Sequence, residues 1–265
     1  STNPSADRSW NLPTWKAELD FRLADHALLY ASINRGAKSG GWAAPATPAP
    51  PSVLAFNPEK LTSYETGIKT EFLGGRARFN SSIFYYDYHD YQVFLQEGLV
   101  ETVGNRNARV KGGEAELSFV PARGWDLDLG VSGMSSIVKG ITLPDGEIAD
   151  RVMPQAPKWS ANARARYEWA AFDGTLSAQA DMKWDAGSYF SAFNAPVDYE
   201  ATHAVSNIRV GYASGDKTWD VSAFLENAFN RQYRVYDLDI SGLGFTTAVY
   251  GPPRWWGVTA AYHWQ

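Results

Sequence analysis

The chain has 265 residues, of which 45% are hydrophobic, 14% aromatic and 20% charged, with a net charge of −5 and no cysteine. It holds enough apolar material for a sizeable fold and is too aromatic to be disordered; without thiols it has no disulfides, Cys-type zinc site or Cys nucleophile, and the acidic balance argues against a nucleic-acid partner. Its apolar runs are too short for a membrane-spanning helix, and Ser1-Thr2-Asn3-Pro4 has neither a charged n-region nor an apolar h-region, so any signal peptide is expected upstream or already removed.

Apolar residues recur with a period of two, the period of strands, almost throughout. Trp15, Ala17, Leu19, Phe21 and Leu23 alternate with Lys16, Glu18, Asp20 and Arg22. Further on, Trp159, Ala161, Ala163, Ala165, Tyr167 and Trp169 alternate with Ser160, Asn162, Arg164, Arg166 and Glu168. Leu176, Ala178, Ala180, Met182 and Trp184 alternate with Ser177, Gln179, Asp181, Lys183 and Asp185, and Trp256, Val258, Ala260, Tyr262 and Trp264 share the last face. The pattern predicts about eleven strands, over 13–23, 26–35, 61–72, 76–96, 99–120, 125–138, 158–169, 174–187, 202–213, 217–227 and 254–264, and no helix. Tight-turn chemistry fills the short joins at Ala24-Asp25, Leu73 to Gly75, Pro121 to Gly124, Ala170 to Asp173 and Ser214 to Asp216. The long joins run over 36–60, 139–157, 188–201 and 227–253, and the join at Glu97 and Gly98 reads as the tip of a hairpin extending beyond the membrane.

Two architectures fit such alternation. A soluble antiparallel sandwich would bury its apolar face, whereas a transmembrane β-barrel would turn that face to lipid. Three details favour the barrel. The polar faces are dense in charge of both signs, as suits a wet lumen. The strands exceed the usual five or six residues and reach the 9 to 11 or so needed to cross a bilayer. Aromatics gather beside the short turns, at Phe21, Phe72, Phe119, Trp125, Trp169, Phe172, Tyr212, Trp219, Tyr262 and Trp264, while mid-strand positions are aliphatic, which describes an interfacial girdle. Short turns would then face the periplasm and long loops the outside. With about eleven strands the first and last run the same way and cannot close a barrel, so the chain is expected to be incomplete, unless a strand is miscounted.

The sequence resembles the C-terminal part of a TonB-dependent outer-membrane receptor. Leu29-Tyr30-Ala31-Ser32 with Gly36 to Gly41 is similar to a strand and loop start of that family; Asn57-Pro58-Glu59-Lys60 with Glu65-Thr66-Gly67-Ile68-Lys69 is similar to its "NPE…ExGxK" signature. Gly104-Asn105 and Gly113-Glu114-Ala115-Glu116-Leu117 resemble its "GxExE" strand, Asn227 to Tyr233 its "NLFxxxY" element, and Gly251-Pro252-Pro253-Arg254 its "GxPR" lead into the last strand. The resemblance implies an all-β antiparallel barrel of 22 strands around a plug, with residues 1–265 as its C-terminal half and the plug and N-terminal strands absent. It implies active uptake of a scarce nutrient, most often a ferric siderophore, across the outer membrane of a Gram-negative bacterium. The implied partners are outer-membrane lipid, the rest of the barrel and the plug, the TonB complex, and the barrel-assembly machinery through the last strand. The family usually ends on an aromatic, whereas here Gln265 follows Trp264.

No catalytic constellation, metal site or cofactor motif stands out. His26, His89, His203 and His263 are scattered, Gly40-Gly41 and Gly242-Leu243-Gly244 lack a following helix, and acids such as Asp126 and Asp128 read as a hydrated wall paired with basic residues. Glu65, Lys69, Glu114, Glu116, Arg164, Arg166, Asp181, Lys183 and Arg209 are the candidate lumen and plug-facing residues. Ligand contact is expected from the long loops, at Trp42, Tyr189, Phe190, Phe193, Arg234, Tyr236 and Asp237, because they mix rings with polar groups at a concave mouth. Ala43 to Pro51 reads as a stiff exposed segment. A passive outer-membrane pore and a soluble carbohydrate-binding β-protein with exposed rings remain open as alternatives.

Overall fold

The computed structural model describes residues 7–43, 54–97, 100–240 and 244–264. Most of the expected Ala43 to Pro51 segment, Gly98, Gly242, Leu243 and Gln265 therefore lie outside the described residues. The strands are β1 (Trp15–Ala24), β2 (Ala27–Lys38), β3 (Gly41–Trp42), β4 (Ala55–Phe56), β5 (Glu59–Phe72), β6 (Ala77–Glu97), β7 (Val100–Phe119), β8 (Trp125–Thr142) and β9 (Ile148–Arg151). They continue as β10 (Trp159–Ala171), β11 (Gly174–Asp185), β12 (Ser188–Tyr189), β13 (Tyr199–Glu200), β14 (His203–Ser214), β15 (Trp219–Glu226), β16 (Arg234–Ile240), β17 (Phe245–Tyr250) and β18 (Trp255–Tyr262).

One twelve-stranded sheet dominates, in the order β1-β2-β5-β6-β7-β8-β10-β11-β14-β15-β18 with β9 beside β8. Every predicted strand is in that path, and each neighbouring pair along it is antiparallel. Consequently β1 and β18 run the same way. Among the described residues each is paired on one side only, so the sheet is an open, partial barrel.

The register separates two chemistries. Phe119, Leu127, Ala165, Ala180, Ile208, Leu225 and Trp256 stand beside one another across seven strands. One residue along, on the opposite face, Ser118, Asp128, Arg164, Asp181 and Asn207 form a polar row. The apolar face is the bare one: Leu129 is 50% exposed and Val258 63%. A soluble sheet would cover such a surface, since contiguous apolar patches of this extent mark a contact with another apolar phase.

Two belts of rings bound that face. At the turn end Phe21, Phe72, Trp125, Trp169, Trp219, Tyr262 and Trp264 are exposed; Tyr212 is half-buried, its hydroxyl donating to the Phe172 carbonyl at 2.7 Å. At the loop end Tyr64, Tyr85, Trp159 and Trp256 form a second exposed belt, which alternation alone did not single out. Tyr64 to Phe72, Trp159 to Trp169 and Trp256 to Trp264 each cover about 9–11 residues, the length a tilted strand needs to cross a bilayer.

The buried core lies at the loop end instead, where Val93, Ala108, Val110, Val138, Ile141, Met153 and Ala192 pack together. The sequence predicts one long loop over 227–253, but β16 and β17 form a hairpin there. Likewise β8 continues to Thr142 and pairs with β9. These strands are too short, or too polar on both faces, for a period of two to identify them. A single turn of 3-10 helix spans Pro196–Asp198.

The motif residues tie these loops down. Asn105 accepts a bond from the Asn57 backbone N–H at 2.7 Å and donates to the carbonyls of Asn57 at 3.0 Å and Asp90 at 2.8 Å. Asn227, 4% exposed, donates to the carbonyls of Arg231 at 2.9 Å and Pro252 at 3.0 Å and accepts from the Arg231 N–H at 2.7 Å. One buried amide thereby joins both feet of the β16–β17 hairpin.

Candidate ligand site at the loop end

Four segments distant in sequence converge at the loop end: the β6–β7 tip, the stretch before β10, the segment after β12, and β16. They enclose a cavity of about 380 Å³. Its walls include the rings of Tyr91, Phe94, Phe190, Phe193 and Tyr236 and the acids Glu101, Asp198, Asp237 and Asp239.

Arg234 holds two of these segments together. Its Nε donates to Glu200 Oε2 at 3.0 Å, and one terminal nitrogen donates to Asp237 Oδ2 at 2.5 Å and the Val197 carbonyl at 2.9 Å. The other donates to the Tyr199 carbonyl, and the guanidinium lies 5.5 Å from the Phe190 ring centroid. Burial opposes its charge, but Glu200 and Asp237 outweigh that and hold its pKa above the ordinary arginine value. The planar fork is thus engaged by the protein itself, which suits Arg234 to fixing the wall.

Asp198 is 1% exposed and Asp237 7%. Asp198 Oδ2 accepts from the Ser191 hydroxyl. The second oxygen of each carboxylate, Asp198 Oδ1 and Asp237 Oδ1, is buried with no hydrogen-bond partner among the described residues. Burial pushes the Asp198 carboxyl up, and Asp239 and Asp237 push the same way against the Ser191 hydrogen bond and Arg234. The sequence alone points to Asp237 and not to Asp198, since nothing in its local pattern marks Asp198 for burial.

The other expected contact residues are dispersed. Phe190, Phe193, Tyr236 and Asp237 line this cavity, and Phe193 also packs on the buried core. Tyr189 lines a different cavity, of about 800 Å³, with Trp159, Arg151 and Asn194, and its ring meets Tyr199 at 4.9 Å. Trp42 lies on the β3–β4 pair, 5.5 Å from the Arg8 guanidinium.

The register puts Glu65, Lys69, Glu114, Glu116, Arg164, Arg166, Asp181, Lys183 and Arg209 all on the polar face. Many are paired there. Arg164 bonds Asp128 through Nε at 2.7 Å and Asp126 at 3.0 Å, Asn207 donates to Asp181 at 2.8 Å, and Arg166 meets Glu168 at 2.6 Å. Lys183 meets Asp185 at 3.0 Å, and Arg209 donates to Ser222 at 3.3 Å. A depression of about 700 Å³ on this face is lined by Glu114, Glu116, Arg164, Asp181 and Lys183. Among the described residues no three His, Asp or Glu side chains are grouped as a metal site.

A sheet that is polar on one face, bare and apolar on the other, and belted by rings defines the wall of an antiparallel transmembrane β-barrel. The chain belongs to the TonB-dependent receptor-like β-barrel family, whose model matches residues 1–228. It is 24% identical over 215 residues to the ferripyoverdine receptor of Pseudomonas aeruginosa strain PAO1, covering 75% of this chain and 24% of that protein. Among solved structures, the ferric yersiniabactin uptake receptor FyuA from Yersinia pestis superposes with a TM-score of 0.77 at 22% identity, over 92% of this chain and 36% of that one. The copper transporter OprC gives 0.72 at 20% identity, over 95% and 39%. These structural likenesses establish the fold. The chain spans well under half the length of each of these relatives.

Proposed function

We propose that residues 1–265 are the C-terminal part of the barrel of an outer-membrane receptor that takes up a ferric siderophore, driven through TonB, in a Gram-negative bacterium. The observation that carries this reading is the pair of neighbouring rows, apolar from Phe119 to Trp256 and polar from Ser118 to Asn207, on opposite faces of one sheet. Among the described residues β1 and β18 are each paired on one side only, which supports a larger barrel, because each backbone group left unsatisfied in lipid costs on the order of several kcal/mol. The remaining strands and the plug would come from sequence outside these residues, and the polar face would meet the plug. The loop-end cavity would form part of the ligand mouth, and the last strand would be read by the barrel-assembly machinery. The polar wall would take no part in catalysis.

The test is uptake of radiolabelled ferric siderophores by an iron-starved host that lacks its own receptors and expresses the whole receptor, with and without TonB. Uptake only with TonB supports the proposal. Uptake independent of TonB would make the protein a passive pore, and recovery of the protein outside the membrane fraction would restore the soluble carbohydrate-binding alternative.

A further inference from the structure

The ring belt at the loop end carries cations just beside it, on the face turned to lipid. Tyr64, Tyr85, Lys111 and Ser135 stand in register across β5 to β8, so Lys111 shares that face with two rings of the belt. Two residues nearer the loops, Arg109 takes the same face, beside Ile137. The sheet is interrupted beyond β8: β10 reaches along it only as far as Gly133, opposite Trp159, and β9 takes up at Val138. The cavity of about 800 Å³ fills this gap, lined by Ser135, Ile137 and Trp159 of the lipid-side face together with Arg151 and Lys158. It is a notch that reaches the lipid-side face at the level of the belt.

The charges around this notch do not cancel. Arg109 meets Asp87 at 3.3 Å, and Lys139 meets Asp150, the carboxylate in the notch lining, at 2.5 Å. Lys111 and Lys158 are exposed and make no ion pair among the described residues. Arg151 bonds only backbone carbonyls, those of Phe193 at 3.1 Å and Asp150 at 3.3 Å. Three positive charges therefore stand unmatched in a chain whose net charge is −5. Beside a ring belt, a lysine lays its stem on apolar surface and holds its ammonium among the headgroups. The anion of that layer is phosphate, which lysine and arginine take through charge-assisted hydrogen bonds. A soluble anionic cargo would instead pass along the polar face, and Lys111 lies on the other one.

We propose that the notch and Lys111 together bind the phosphate-bearing headgroup of an outer-leaflet lipid. Lys111 on β7 and Lys158 before β10 flank β8 two strand spacings apart, about 10 Å, and donate to phosphate oxygens from either side. Arg151 adds its charge from the notch wall, and Trp159 packs against an acyl chain. The inference rests on the membrane-wall part of the receptor reading above, and not on its cargo or on TonB.

The test is native mass spectrometry of the whole receptor, purified in detergent, stripped of lipid and titrated with diphosphorylated lipid A. Its phosphatase-treated form and inorganic phosphate serve as controls. The expected result is retention of the phosphorylated lipid, with apparent affinity about tenfold weaker when Lys111→Gln and Lys158→Gln are combined. Arg123→Gln combined with Lys217→Gln removes the same charge from two exposed short turns at the other end, and should leave retention unchanged. Unchanged heat-modifiable gel mobility certifies that both variants fold. Equal retention of the dephosphorylated lipid, a Lys111/Lys158 variant that binds as tightly as the parent, equal weakening in the turn-end variant, or displacement by inorganic phosphate at matching concentration would overturn the proposal. Because retention is read without transport, selective retention without TonB-driven uptake would sink the cargo reading alone, and uptake with unselective retention would sink this one alone.

Discussion

Tyr30 lies across Gly67, its register partner on the neighbouring strand. The Tyr30 hydroxyl donates to Glu65 Oε1 at 2.7 Å, and the Lys69 ammonium sits 5.1 Å from the ring centroid. A Cβ at position 67 would fall 2.5 Å from the Ser81 carbonyl oxygen and 2.7 Å from the ring. The Glu-x-Gly-x-Lys spacing at 65–69 therefore has a physical reason: three residues on one face of β5 form a cradle for a single ring, and only glycine leaves room for it.

Gly67→Val should push that ring out and destabilise the protein by about 1–3 kcal/mol, the usual cost of overpacking. Tyr30→Phe, which loses only the hydroxyl's bond to Glu65, should cost about 1 kcal/mol. The temperature at which the folded band on an unheated gel converts to the denatured one ranks the two. A Gly67→Val protein as heat-resistant as the parent would contradict the cradle.

Polar contacts on this chain are not equal. Asn227 is buried and its amide bridges two backbone segments, so Asn227→Ala should cost about 2–3 kcal/mol by leaving several groups unpaired. Arg164 makes ion pairs with Asp126 and Asp128, but its side chain is 37% exposed and those pairs are screened. Arg164→Met should change stability by less than about 1 kcal/mol. Denaturation of both variants in the same detergent checks the ordering, and a larger loss for Arg164→Met would reverse it.

Arg234→Lys keeps the charge but gives up the fork that reaches Glu200, Asp237 and two carbonyls. The β16–β17 hairpin should then separate from the Pro196–Asp198 turn while the barrel wall stays intact. Limited proteolysis should show several-fold faster cleavage between residues 234 and 250 and unchanged cleavage in the short turns. Identical digestion patterns would mean that the clamp is dispensable.

The Asp198 carboxyl is pushed up, so the folded chain holds its proton more tightly than the unfolded chain does. Its contribution to stability is therefore greatest below the ordinary carboxylate range of about 4 and is lost as pH rises through the raised value. In the ligand-free protein, Asp198→Asn should slow hydrogen exchange of the 190–200 segment at neutral pH and make no difference at low pH. A parent chain better protected than the variant at neutral pH would show that the carboxylate is already satisfied.

The strands of the wall were legible because lipid on one side and water on the other impose a strict period of two; Leu129 and Asp128 could not exchange places. The same rule fails at the loop end. There Val138, Ile141 and Ala192 are buried among loops, and β16 has contacts on both faces, so no single period survives. For the site, mixed rings and charges flagged Phe190, Tyr236 and Asp237. They gave no sign that Arg234 is engaged, that Trp42 and Tyr189 lie elsewhere, or that Asp198 is buried, because each of these depends on which loops meet.

The central claim is that the apolar face meets lipid and the polar face meets water. Residues 1–265 hold no cysteine, so single-cysteine spin labels placed in them report one site each once any cysteine elsewhere in the receptor is replaced. Labels at Leu129, Met182 and Ile208 should collide with oxygen and be shielded from a water-soluble nickel chelate in the reconstituted receptor, while labels at Asp128, Asp181 and Asn207 should show greater nickel access. Equal access at neighbouring positions, or nickel access at Leu129 and Ile208, would contradict the account.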